Sequence, residues 1–258
     1  MVQEKINKEE KLKIPKTENI IEIKNLYKSF GDNDVLKGIN LSVKKGEDLV
    51  ILGRSGSGKS IAIKCLVGLV KADEGEINIF GKDITKLNNN ELNEIRARVG
   101  FLFQNGALYD SMTVRQNLAF TLKHHSKDLS ESEIEASVIE ALQNVGLEEA
   151  IDKMPSELSG GMRKRIGLAR TLIIKPEIIL YDEPTTGLDT ITSREISELM
   201  LSIQKKYKTS SIIITHDMAC AKLTGKRVMI LKDGVINAEG SYAELEKSKD
   251  KWVRSFFT

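Results

Sequence analysis

One segment limits the fold more than any other: Gly53-Arg54-Ser55-Gly56-Ser57-Gly58-Lys59-Ser60, directly after an apolar run over 48–52 and before a helical run over 60–70. Strand, glycine-rich loop and helix in that order form a phosphate-binding unit. Glycines let successive N–H groups converge on phosphate oxygens, and the following helix points its positive end at them. Lys59 supplies a full charge to β- and γ-phosphates, and Ser60 offers a hydroxyl to Mg²⁺. No single part suffices. A helix dipole contributes roughly 0.3–1 kcal/mol, whereas micromolar binding needs about −8 kcal/mol.

Around this loop the chain alternates strand and helix. β segments are expected over 20–26 and 35–43, with Gly31 and Asp32 in the turn between them, and over 76–80 before Gly81. From 113 to 172 the sequence reads as mostly helical, with apolar residues at helical spacing from Ile134 through Val145. The α/β pattern then returns as a strand over 178–182, a helix over 192–207 and a strand over 211–215. A closing hairpin turns at Asp233-Gly234. The expected organisation is a flexible charged tail over 1–18, one domain over 19–248 with a helical insert at about 104–172, and an aromatic tail over 249–258. That tail, Lys251-Trp252-Val253-Arg254-Ser255-Phe256-Phe257, either packs against its own domain or docks on a neighbouring subunit, and docking is the working expectation.

A chain of 258 residues fits one large α/β domain, and 40% hydrophobic with 29% charged residues is ordinary for a globular protein. A net charge of +2 provides no global field toward nucleic acid, and none is expected as a partner. Cys65 and Cys220 sit in apolar stretches without metal-ligand spacing and read as buried thiols. No run approaches the roughly 18 apolar residues of a membrane span, and the first ten residues are too polar for a secretory signal. Service to a membrane would need a partner.

Two further segments carry chemistry. Ile178-Ile179-Leu180-Tyr181-Asp182-Glu183 ends an apolar strand in two carboxylates. Asp182 is placed to hold the metal, and Glu183 to orient and polarise an attacking water. In Leu158-Ser159-Gly160-Gly161-Met162, Ser159 reads as the N-cap of a helix. This is a second anion-binding terminus, far along the chain from the first. Two such termini make sense if one chain's glycine loop and another chain's Ser159 and Gly161 grip one γ-phosphate.

Over roughly 20–245 the chain resembles the nucleotide-binding domain of ABC transporters. The resemblance implies an α/β fold with a P-loop NTPase ABC ATPase core: a mixed sheet with flanking helices, an antiparallel β subdomain and an inserted helical subdomain. ATP and Mg²⁺ are the implied cofactors. Residues 53–60, continued by Ile61, resemble its Walker A motif; 178–183 resemble Walker B, and 158–162, with Gly160 at their centre, the signature. Gln104, after Phe101-Leu102-Phe103, matches the Q-loop glutamine that senses Mg²⁺. Asp189 after Leu188 matches the D-loop, and His216 the switch histidine that touches the γ-phosphate. For the aromatic residue that stacks on adenine, Phe30 and Tyr27 compete and alignment favours Phe30. A degenerate, non-catalytic module is disfavoured because Lys59, Asp182, Glu183 and His216 are all present.

Residues 103–109 and 154–162 resemble the Mla-type ATPases that serve MCE-associated lipid transporters. Met162, where most ABC proteins carry glutamine, agrees with that subgroup. The implied assembly is a homodimer of ATPase chains with an integral membrane permease and an MCE-domain protein, joined in some members by a small accessory protein. It would sit peripherally on the cytoplasmic face of the inner membrane. The alternative is an ABC ATPase for another small solute, since the catalytic motifs never touch cargo. A soluble ABC ATPase acting on nucleic acid or ribosomes usually has two linked ATPase domains or a long coiled-coil insertion, and neither is visible here.

Overall fold

The computed structural model describes residues 19–126 and 128–257, so the charged segment 1–18 lies outside the described residues. In chain order the strands are β1 (Asn19–Phe30), β2 (Asn33–Lys44), β3 (Asp48–Leu52), β4 (Glu74–Ile79), β5 (Lys82–Asp83), β6 (Val99–Leu102), β7 (Ile178–Asp182), β8 (Ser210–Thr215), β9 (Arg227–Lys232) and β10 (Val235–Gly240). The helices are α1 (Lys59–Leu66), α2 (Asn89–Arg96), α3 (Val114–His125), α4 (Glu131–Gln143), α5 (Gly160–Leu172), α6 (Thr190–Tyr207), α7 (Met218–Thr224), α8 (Tyr242–Glu246) and α9 (Lys251–Arg254).

The strands form two sheets. One is antiparallel in the order β2-β1-β4-β5; the other runs β10-β9-β3-β8-β7-β6. In the second, β9, β3, β8, β7 and β6 are parallel, and only β10 is antiparallel to its neighbour. The mixed sheet, the antiparallel subdomain and the helical insert are therefore all present.

Every residue of β3, β7 and β8 is buried, which explains their unbroken apolar runs: a parallel strand covered on both faces has no solvent side. Alternate residues feed two cores. Val50, Leu52, Ile179, Tyr181 and Ile213 point into one, while Leu49, Ile51, Ile178, Leu180, Ile212 and Ile214 point into the other. The first core continues into the insert through Leu118, Val138 and Ile166, so α3, α4 and α5 share hydrophobic packing with the central sheet. The second is closed by Ile21, Ile23, Ile39 and Ile77 of the antiparallel sheet and by Ile63 and Leu66 of α1.

Helix ends follow local chemistry. Reciprocal capping boxes, Thr113 with Gln116 and Ser130 with Glu133, start α3 and α4, each cap being worth about 1 kcal/mol. Helix α1 stops at Leu66, short of the expected 60–70, because Gly68 takes a left-handed φ of 66°. Helix α6 starts at Thr190, two residues before the expected 192, because Asp189 accepts hydrogen bonds from Ile191 N and Thr192 N.

The C-terminal aromatic segment packs on its own domain. Val253 is buried, and Trp252, Phe256 and Phe257 lie against the first core. The Phe257 ring meets Tyr242 edge-on at 5.0 Å, and the Lys232 ammonium sits 4.5 Å from the Trp252 ring centre. The Trp252, Phe256 and Phe257 rings remain partly exposed beside that core.

Candidate active site

Strands β3, β8, β7 and β6 are adjacent and parallel, so their carboxyl ends emerge along one edge of the sheet. That edge is where open α/β sheets bind ligands. The glycine loop leaves β3 there, Asp182 and Glu183 leave β7, His216 leaves β8 and Gln104 leaves β6. Residues more than 160 positions apart in sequence thereby meet in one cleft of about 540 Å³. It is lined by Arg54, Ser55, Gly56, Ser57, Gly58, Lys59, Ser60 and Ile61, with Gln104, Glu183, His216 and Val35.

The loop is pinned from within. The Lys59 ammonium, only 6% exposed, donates to the carbonyls of Gly53 at 2.8 Å and Arg54 at 3.1 Å. Burial pushes its pKa down, and Glu183 and Asp182 work against that shift. Gly53 does not line the cleft. A side chain there would place Cβ 2.6 Å from Ser57 Oγ and 2.7 Å from the Leu231 carbonyl, so this glycine is required by packing. Ser57 Oγ is buried and has no hydrogen-bond partner among the described residues, leaving a hydroxyl that a phosphate oxygen would satisfy.

Ser60 Oγ donates to Asp182 Oδ1 at 2.8 Å. A hydroxyl beside a carboxylate is an oxygen donor set suited to Mg²⁺. Next to it, Glu183 is 8% exposed and its carboxylate is held from several sides. Oε2 lies 2.8 Å from His216 Nδ1 and accepts from Thr186 Oγ1 at 3.1 Å and His216 N at 3.3 Å. Oε1 is 3.8 Å from Lys59 Nζ. Its backbone adopts φ 52°, an uncommon conformation for a side chain of this size, at a cost of about 1–2 kcal/mol.

The remaining sequence-derived residues lie elsewhere. Ser159 caps α5 as expected, accepting from Met162 N at 3.2 Å, but neither it nor Gly160 or Gly161 lines the cleft. Asp189 is also outside, and its carboxylate is engaged by its own helix, including Thr192 Oγ1 at 2.6 Å. Phe30 is half exposed at the end of β1 with Lys28 over its ring, away from the cleft lining. Tyr27 lies over Gly38, where an added Cβ would sit 2.7 Å from the tyrosine hydroxyl. Val35 is what the antiparallel subdomain contributes to the cleft, and no local pattern marks it.

Sequence reading also missed two supports of Glu183. One is the Thr186 hydroxyl, three residues on. The other is Lys164 of α5, which is 6% exposed and donates to the carbonyls of Glu183, at 3.1 Å, and Gln104. A lysine in a helix ordinarily reads as solvated surface, so spacing alone offered no hint.

A phosphate loop, a metal-suited carboxylate and an oriented second carboxylate at one sheet edge define a P-loop nucleoside triphosphatase. The ABC transporter family model matches residues 36–186. A probable ribonucleotide transport ATP-binding protein of Mycobacterium leprae is 46% identical over 236 residues, covering 92% of this chain and 68% of that protein. An intermembrane phospholipid transport system ATP-binding protein, MlaF, of Haemophilus influenzae is 39% identical over 239 residues, covering 93% of this chain and 90% of that one. A solved dimeric ATP-binding cassette in a post-hydrolysis state, bound to ADP and Pi, superposes with a TM-score of 0.80 at 33% identity, covering 86% of this chain and 98% of that chain. The chain belongs to the ABC transporter family, and it resembles the MlaF ATPase over nearly that protein's whole length. It binds ATP, and its hydrolysis of ATP is coupled to transport.

Proposed function

We propose that two copies of this chain close head-to-tail around two Mg·ATP, drive an integral membrane permease, and thereby move phospholipid between membranes with an MCE-domain protein. The observation that carries the catalytic half is the convergence of Lys59, Ser60 and the His216–Glu183 pair in one cleft, with Asp182 directly behind Ser60. Head-to-tail closure accounts for Ser159, Gly160, Gly161 and Asp189 lying outside that cleft: each would complete the site of the opposite chain. The dimeric state of the solved cassette supports this arrangement.

In this reading residues 54–61 cradle the phosphates and Lys59 faces the β- and γ-phosphates. Ser60, Asp182 and Gln104 would hold Mg²⁺, which supplies charge neutralisation at the phosphate oxygens. Glu183, fixed by His216 and Thr186, takes the proton of the water whose oxygen bonds to the γ-phosphorus as the bond to the bridging oxygen breaks. His216 steadies the γ-phosphate. Phe30, at the end of β1 and outside the cleft lining, would stack on adenine. Among the described residues no helix is long and apolar enough to cross a membrane, so attachment at the cytoplasmic face of the inner membrane runs through the permease.

The cargo assignment rests on the Mla-like segments 103–109 and 154–162 and on the phospholipid-transport relative, which this chain covers almost end to end. A second reading, another solute, is favoured by the higher identity to the relative named for ribonucleotide transport. Purification of the tagged chain from its own membranes, with mass spectrometry of co-purifying proteins and lipids, separates them. Recovery of a permease, an MCE-domain protein and phospholipid supports lipid transport. A solute-type permease without lipid overturns it and leaves the ATPase mechanism standing.

A further inference from the structure

The first turns of α5 hold a buried lysine that forms no ion pair among the described residues. Among the described residues no carboxylate lies within ion-pair distance of Lys164, whose ammonium is only 6% exposed. A buried ammonium is costly unless its protons are used. Here they go to two main-chain carbonyls, at Gln104 and at Glu183. Burial drives the Lys164 pKa down, opposed by the nearby Glu183 and Asp182 charges.

Both acceptors are informative. The Glu183 carbonyl belongs to the residue in the left-handed conformation, whose N–H is separately held by the Ile214 carbonyl at 2.9 Å. With its N–H on β8 and its C=O on α5, the Glu183 backbone is clamped at both ends. The Gln104 carbonyl opens a loop that lies along the same helix. Gly106 approaches so closely that a Cβ on Gly167 would sit 2.9 Å from Gly106 Cα. Arg170 Nη1 then donates to the Ala107 carbonyl. Lys164, Gly167 and Arg170 recur at i, i+3 and i+6, one stripe of the helix.

We infer that Lys164 is a positioning residue: it holds the backbone of Glu183 in its hydrolytic placement and ties that placement to the Gln104 loop. This rests on Glu183 being the general base. Removing the tie frees the Gln104 carbonyl and leaves the Glu183 carbonyl with only the 3.3 Å bond from Thr186 N, which loosens the strained Glu183 backbone, while the phosphate loop, which Lys164 does not touch, keeps its grip on nucleotide. Misplacement of a catalytic group by about 1 Å costs on the order of 100-fold in rate.

Steady-state ATPase kinetics and fluorescent-ATP binding on Lys164→Met, Lys164→Arg and Glu183→Gln test the inference. Expected results are a kcat about 10–100-fold lower for Lys164→Met with KM and nucleotide affinity within about twofold of wild type, and substantial recovery in Lys164→Arg, which can donate to both carbonyls. If Lys164→Met does not fold, Lys164→Gln is measured in its place, with the same kcat-specific loss expected. Unchanged kcat in the neutral variant, an equal loss of affinity and kcat, or no recovery with arginine overturns the inference. Full turnover in Glu183→Gln removes the base assignment and this inference with it. Loss there alongside an active Lys164→Met overturns only the positioning role.

Discussion

Ser60 Oγ donates to Asp182 Oδ1 across 2.8 Å although 122 residues separate them. This bond joins the loop after β3 to the end of β7, and it places hydroxyl and carboxylate side by side as a divalent-cation donor set. Asp182→Asn keeps the acceptor for Ser60 and removes the charge. Titration calorimetry with and without Mg²⁺ is expected to show Mg²⁺-dependent ATP affinity falling about 10–100-fold, the equivalent of a charged hydrogen-bonding partner worth about 1.5–3 kcal/mol. An affinity that keeps its full Mg²⁺ dependence removes Asp182 from the metal set.

Asp48 gives a pH prediction at the opposite end of β3. It is 3% exposed, accepts from Ser211 Oγ on β8, and is pushed up to about 6 chiefly by burial. The Ser211 bond and Lys226 offset part of that rise, and Glu47 adds to it. Because the folded pKa lies above the unfolded value of 3.8, the folded state holds the extra proton between the two. The associated stabilisation is complete below pH 3.8 and is lost as pH rises through about 6. Asp48→Asn does not ionise, so its melting temperature should gain on wild type, by roughly 1–3 kcal/mol of stability, as pH rises from 4 to 7. A difference that is flat with pH contradicts this.

Gly167 permits the closest backbone approach between α5 and the loop after β6. Its added Cβ would meet Gly106 Cα at 2.9 Å, Gly106 O at 3.0 Å and Leu102 Cδ1 at 3.1 Å. Two of these are backbone atoms with little room to give. Gly167→Ala is therefore expected to lose about 1–3 kcal/mol despite its better helix propensity, a fall of roughly 2–12 °C in melting temperature. A rise in melting temperature would show that the loop yields freely.

Much of this molecule was legible in the sequence because its signals are local. The bounds of β3 and β7 match expectation because both strands are buried on two faces and read as continuous apolar runs. Ser159 was readable as a cap because its hydroxyl serves its own helix. Helix α2 was missed although Asn88 and Glu91 form a capping box; its apolar face is only Leu92 and Ile95, too short for a periodic pattern. Side chains whose partners are remote stayed hidden: the fit of Val35 to the cleft and the contact of Lys164 with two carbonyls depend on tertiary placement. The packing of the aromatic tail on its own domain was one of two readings open in the sequence, because exposure and self-burial look alike there.

In the proposed mechanism Glu183 drives hydrolysis at a site shared by two chains. Glu183→Gln keeps the shape and hydrogen-bonding capacity of the side chain while removing its basicity, so ATP should bind and persist. Light scattering during size-exclusion chromatography in Mg·ATP is the direct measurement. Glu183→Gln is expected to show the mass of two chains with ATP, a single chain without nucleotide, and turnover at least about 100-fold below wild type, on the order of a lost general base. A variant that stays a single chain with ATP and hydrolyses it at the wild-type rate would contradict that mechanism.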